Sequence, residues 1–73
     1  MPLSSNKWVF FRLLNSEEIY VTSIEMVPGS GRMALADQNV RDALGFGTAR
    51  EAYDYGARLA PTLDDWRVGL RSG

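Results

Sequence analysis

Cysteine and histidine are both missing from this 73-residue chain. Their absence removes the two commonest soft metal ligands, the side chain that most often serves as acid and base near neutral pH, and the most nucleophilic natural thiol. It also leaves no disulfide or cysteine-ligated zinc to stabilise a small fold. Lysine is nearly missing too: Lys7 stands alone against seven arginines. With a net charge of −1, the chain lacks the strongly basic field that attracts any polyanion. Apolar runs are short. Trp8 to Phe11 falls far below the roughly 18–20 residues of a membrane-spanning helix, and no secretory leader is recognisable. The expectation is a cytoplasmic protein with no membrane contact.

What is present fits one small domain over residues 1–73, with residues 1–6 frayed. A hydrophobic content of 45% is ordinary for a folded domain and too high for a disordered one. At this length only about 60–65% of the chain's surface can be buried. The large apolar residues Trp8, Phe10, Phe11, Ile19, Val21, Ile24, Leu44, Phe46, Tyr53, Trp66, Val68 and Leu70 are therefore the expected core. A homodimer would bury more. The arginine bias suits carboxylate or phosphate recognition and aromatic stacking, although GC-rich coding produces the same bias without any binding role.

Local signals give an α+β domain. Lys7–Leu14 reads as a strand, Asn15-Ser16-Glu17 as a turn, and residues 18–27, rich in β-branched side chains, as its hairpin partner. Pro28-Gly29 suits a type II turn, after which Arg32–Ala36 is compatible with a short third strand. Residues 37–45 fit either a short helix capped by Asp37 or an irregular crossover. Thr48-Ala49-Arg50-Glu51 has the form of a capping box. It opens the principal helix, roughly 48–60, with Ala52, Tyr53, Gly56, Leu59 and Ala60 at helical spacing. Charge pairs Arg50–Asp54 and Asp54–Arg58 lie on its wet side, and Pro61 ends it. From Asp64 the period becomes two: Trp66, Val68 and Leu70 alternate with Arg67, Gly69 and Arg71. The result is a small, mainly antiparallel sheet with one principal helix on one face.

Several motifs that could carry chemistry have simpler readings. Gly45-Phe46-Gly47-Thr48 resembles a piece of a phosphate loop, but the chain has no room for the parallel βαβ unit such a loop requires. Pro28 to Arg32 is accounted for by a hairpin turn. Asp64 and Asp65 are adjacent in an extended segment and diverge to opposite faces. Asp37 and Asp42 lack calcium-loop spacing. No catalytic residue, metal ligand or cofactor-binding residue is assigned, and the chain reads as a non-enzyme.

One helix covers only one side of the sheet. The first strand is apolar on both faces, with Val9, Phe11 and Leu13 on one and Trp8, Phe10, Arg12 and Leu14 on the other. If the Val9 set faces the helix, then Trp8, Phe10 and Arg12, together with Arg67 and Arg71, form an exposed partner-binding surface. In that arrangement, reversing the charge of Arg67 and Arg71 weakens binding and leaves the melting temperature nearly unchanged. If instead the crossover covers that side, Trp8 and Phe10 are core.

Phe46-x-Thr48-x-x-Glu51-Ala52-x-x-Tyr55, followed by Trp66-x-Val68, resembles a pattern in very small αβ proteins of phages and prophages, which include small anti-CRISPR inhibitors. The match spans roughly residues 43–70. The resemblance implies a protein that inhibits by occupying the surface of a host protein or ribonucleoprotein complex, and it supplies no catalytic or ligand residues. Gly45-Phe46-Gly47 is also similar to a run in RNA-recognition motifs, although Thr48 caps a helix where that family continues its strand. That likeness implies the alternative, a single-stranded nucleic-acid-binding module using the open sheet face.

Overall fold

The computed structural model describes residues 6–72. Four strands, β1 (Asn6–Leu14), β2 (Glu17–Val27), β3 (Gly31–Asp37) and β4 (Arg67–Ser72), form one sheet in the order β3-β2-β1-β4, with every neighbouring pair antiparallel. The helix α1 (Ala49–Arg58) lies against β1 and β4. Residues 1–5, expected to fray, lie outside the described part, whereas Asn6 already pairs with Ser72.

The two hairpins are made by turn chemistry. Asn15 and Ser16 both take positive φ, 53° and 70°, so a two-residue primed turn sets Leu14 opposite Glu17. Val27 accepts a hydrogen bond from the Ser30 amide at 3.0 Å across Pro28-Gly29, with Gly29 at φ 81°. That is the expected type II turn, and β3 is a full strand.

The third connection departs from the helix option. Only a single 3-10 turn, Val40–Asp42, forms, and Asn39 rather than Asp37 caps it, its side-chain oxygen accepting from the Arg41 amide at 3.0 Å. The backbone beyond it is used elsewhere. Leu44 donates to the Val21 carbonyl, and Phe46 exchanges two hydrogen bonds with Trp8, each at 2.9 Å. β1 and β2 pair only from Phe11 to Leu14 on the β1 side. The crossover thus fills the gap where the two strands diverge, and extended pairing outcompetes a helix whose polar backbone groups would have no such partners.

α1 starts as its capping residues require: the Glu51 amide donates to Thr48 Oγ1 at 3.1 Å. The Glu51 carboxylate takes the Thr48 hydroxyl at 3.2 Å. Replacing Thr48 by alanine should cost about 1 kcal/mol and lower the melting temperature by about 4–8 °C, with Thr48→Ser restoring most of the loss. Thermal denaturation of the two variants checks this. The Arg50–Asp54 and Asp54–Arg58 pairs do not close, since the ion pair found among the described residues is Arg71–Glu18.

The core is Phe10, Val21, Ala52 and Leu63, surrounded by partly buried Trp8, Ile24, Leu44, Phe46, Tyr55, Leu59, Trp66 and Val68. Gly56 is what lets the helix approach: a Cβ there would stand 3.2 Å from the Phe10 ring. The buried helix face is therefore Ala52, Tyr55, Gly56 and Leu59, at i, i+3, i+4 and i+7. Tyr53, expected in the core, is 61% exposed and Leu70 is 46% exposed. Leu63, in the turn after Pro61, takes up core space instead.

Candidate interaction face

The face assignment of β1 is the reverse of the exposed-aromatic expectation. Phe10 is buried, edge-on to Phe46 with ring centroids 5.8 Å apart, and Trp8 packs against the same cluster. Arg12, on the same side of the strand, holds its guanidinium 4.6 Å from the centroid of the Trp66 ring. Trp8, Phe10 and Arg12 therefore face the helix side. Arg67 and Arg71 lie on the other side, so the five expected binding residues do not form one surface. The reason is volume: Phe10 fits the space left by Gly56 and enclosed by Phe46 and Tyr55, and two extended neighbours cannot both point inward.

The opposite face carries Phe11 and Leu13. The register places Tyr20 and Arg67 on either side of Phe11, and Glu18 opposite Leu13. Toward the start of β1 this face closes. Val9 is fully buried, and Lys7 Nζ donates to the Ala43 carbonyl at 2.8 Å and the Arg41 carbonyl at 3.2 Å.

At its centre lies a clasp. Arg71 donates from Nε to Glu18 Oε1 at 3.0 Å and from Nη2 to Oε2 at 2.8 Å, a bidentate pair. Tyr20 donates its hydroxyl to Glu18 Oε1 at 2.8 Å. On its way across the sheet the Arg71 guanidinium stacks over Phe11, 4.4 Å from the ring centroid. Gly69 makes the crossing possible, because a Cβ there would come within 2.7 Å of Phe11 Cε1 and 3.0 Å of Arg71 Nη1. Arg71 is thus committed within the fold, and Arg67 keeps its charge uncompensated by any ion pair among the described residues.

The hydrogen bonds from Arg71, with a smaller one from Tyr20, hold the Glu18 carboxyl below the usual glutamate range. Burial raises the Tyr20 phenol, and the Glu18 hydrogen bond raises it further. A carboxylate easier to ionise in the folded state contributes stability above the unfolded glutamate pKa. That contribution disappears as pH falls through the lower folded value. The pair is about 30% exposed, so it is worth at most about 1 kcal/mol. Urea titrations between neutral pH and pH 3 should show the wild type losing more stability toward acid than Glu18→Gln. Parallel curves would mean that the clasp does not form in solution.

Beside the clasp a cleft of about 240 Å³ is lined by Phe11, Arg12, Leu13, Glu18, Asp65 and Arg67. Leu13 is 66% exposed at its edge. A larger depression of about 460 Å³ between Met26, Arg32 and Pro61 is walled mainly by turn residues and has Arg32 as its one charged group. Sequence reasoning overlooked Phe11, Leu13, Glu18 and Tyr20. The signal available was the two-residue turn at Asn15-Ser16, which fixes Leu13 opposite Glu18 once both positive-φ residues are recognised. Among the described residues no three carboxylates gather to share a metal ion, and no helix is long and apolar enough to cross a membrane. No protein-family model matches this chain, and neither a curated protein nor a solved structure matches it.

Proposed function

We infer that this chain is a non-enzymatic interaction protein whose partner docks on the cleft between Leu13 and Arg67. It belongs with the small phage or mobile-element inhibitors of anti-CRISPR type, acting in the host cytoplasm by occupying a protein or ribonucleoprotein complex. The observation that carries the docking reading is an exposed leucine beside an arginine with no ion pair among the described residues, both lining one cleft on the sheet. An apolar anchor next to a planar cation is a usual core of a protein interface. Single-stranded nucleic acid is the weaker reading. The aromatics that could stack bases, Trp8 and Phe10, are turned to the helix side, and Arg71 already covers Phe11. Arg71 is also held by both Glu18 oxygens, so its charge is not free to meet a phosphate.

The test is capture of partners from a bacterial lysate with the wild-type protein and with Leu13→Asp/Arg67→Glu, each before and after nuclease treatment. A defined protein retained after nuclease and lost with the double variant is the expected result. Retention by the variant, or release by nuclease, overturns the reading.

A further inference from the structure

β3 is an edge strand that lacks the usual protection. An open edge presents unpaired amides and carbonyls to any other strand, and proteins normally guard such edges with lysines, prolines or bulges. The other edge, β4, carries Arg67 and Arg71. Between Arg32 and Asp37, β3 reads Met-Ala-Leu-Ala, and the bulge near Val21/Ser23 lies in β2 rather than in β3. Met33 and Leu35 are 47% and 40% exposed. The Leu35 carbonyl accepts from Thr22 Oγ1 at 3.2 Å, so it faces β2. By alternation the backbone groups of Arg32, Ala34 and Ala36 face away from β2, and among the described residues no strand lies on that side.

We propose that β3 pairs with β3 of a second copy of this chain, antiparallel about a two-fold axis at Ala34, to make one continuous eight-stranded sheet. A two-fold axis through a sheet edge keeps each face of one copy on the same side as that face in the other. Paired residues must therefore share a face, which requires register numbers with an even sum. Full overlap of Gly31–Asp37 centres on Ala34 and meets that requirement. Arg32 then exchanges backbone hydrogen bonds with Ala36 of the other copy, and Ala34 with its own counterpart, so each outward-facing group finds a partner. On the face opposite the helix, Met33 lies across from Leu35 at both ends of the contact. The strand's charges favour this orientation by disfavouring the alternative: in-register parallel pairing would set Arg32 beside Arg32 and Asp37 beside Asp37, whereas here Arg32 lies across from Ala36 and Asp37 across from Gly31. The second copy is the occupant that this self-complementarity selects. The inference concerns β3 alone and does not depend on the Leu13–Arg67 reading.

A strand-edge contact this short lies at the small end of specific interfaces, so dimerisation should be weak, with a dissociation constant on the order of 10–100 μM. Sedimentation equilibrium of the full chain from low micromolar to about 1 mM should show the mass rising from 8.1 kDa toward twice that value. Over the same range amide exchange should slow at Arg32, Ala34 and Ala36. Leu35→Lys and Met33→Glu each place two like charges diagonally across the axis, and each should weaken self-association about tenfold or more. Mixed together they set Lys beside Glu and should form a heterodimer of near wild-type affinity. Both positions are exposed, and unchanged circular dichroism and melting confirm the fold. A wild type that stays monomeric, variants that dimerise like the wild type, or a mixture that does not associate would each overturn the proposal.

Discussion

Replacing Phe10 by alanine should remove about 3–5 kcal/mol of stability, enough to unfold much of the population at 25 °C. Phe10 is 3% exposed and meets Phe46, Tyr55 and the bare Cα of Gly56. It is the largest side chain in the buried cluster. The cavity left by its ring has no neighbour able to fill it, since the glycine beneath contributes no side chain. A domain this small lies near the low end of the roughly 5–15 kcal/mol range, so the loss approaches the whole. The melting temperature should fall by about 12 °C or more, taking about 4–8 °C per kcal/mol. Leu13→Ala, at an exposed site on the other face, should change stability by no more than about 0.5 kcal/mol. A larger loss from Leu13→Ala than from Phe10→Ala would show that β1 presents its other face to the helix.

The largest effect on binding is expected from the cleft. Against a purified partner, Leu13→Asp/Arg67→Glu should raise the dissociation constant by about 30-fold or more, the loss of at least one anchor worth about 2 kcal/mol. Its melting temperature should stay within a few degrees of wild type, because neither side chain is buried and Arg67 holds no ion pair among the described residues. Arg71 behaves differently. The sequence alone suggests that its charge can be reversed without affecting the fold, but Arg71→Glu sets two carboxylates against each other and empties the space over Phe11. That variant should lose stability as well as binding. A cleft variant that melts like Arg71→Glu would make Leu13 and Arg67 structural residues. Titration at several salt concentrations separates the partner classes: phosphate contacts give a steep log–log fall in affinity, a protein interface a shallow one.

Much of what near neighbours set was legible in the sequence, although Asn39 rather than Asp37 caps the turn at Val40–Asp42 and the Arg50–Asp54 and Asp54–Arg58 pairs do not close. Pro28-Gly29 makes its turn because proline presets φ and glycine tolerates a positive one. Thr48 and Glu51 begin the helix because the first amides need an acceptor. The alternation after Asp64 gives a strand because side chains in extended backbone point to opposite faces. These local rules led to the α+β sheet with a single helix that the structure contains.

Which face of β1 turns inward was not decided locally, because both faces are apolar and alternation cannot rank them. The choice came from fit between distant residues: Phe10 against Gly56, and Trp8 paired with Phe46 where β2 diverges. The same holds for the arginines. Arg67 and Arg71 have the same period and the same composition around them, yet one is exposed and the other is clasped to Glu18, 53 positions away. The sequence by itself determined the elements and their order. Only the tertiary structure decided which side of the sheet is core and which arginine is clasped to Glu18, because both depend on which side chains fill one shared volume.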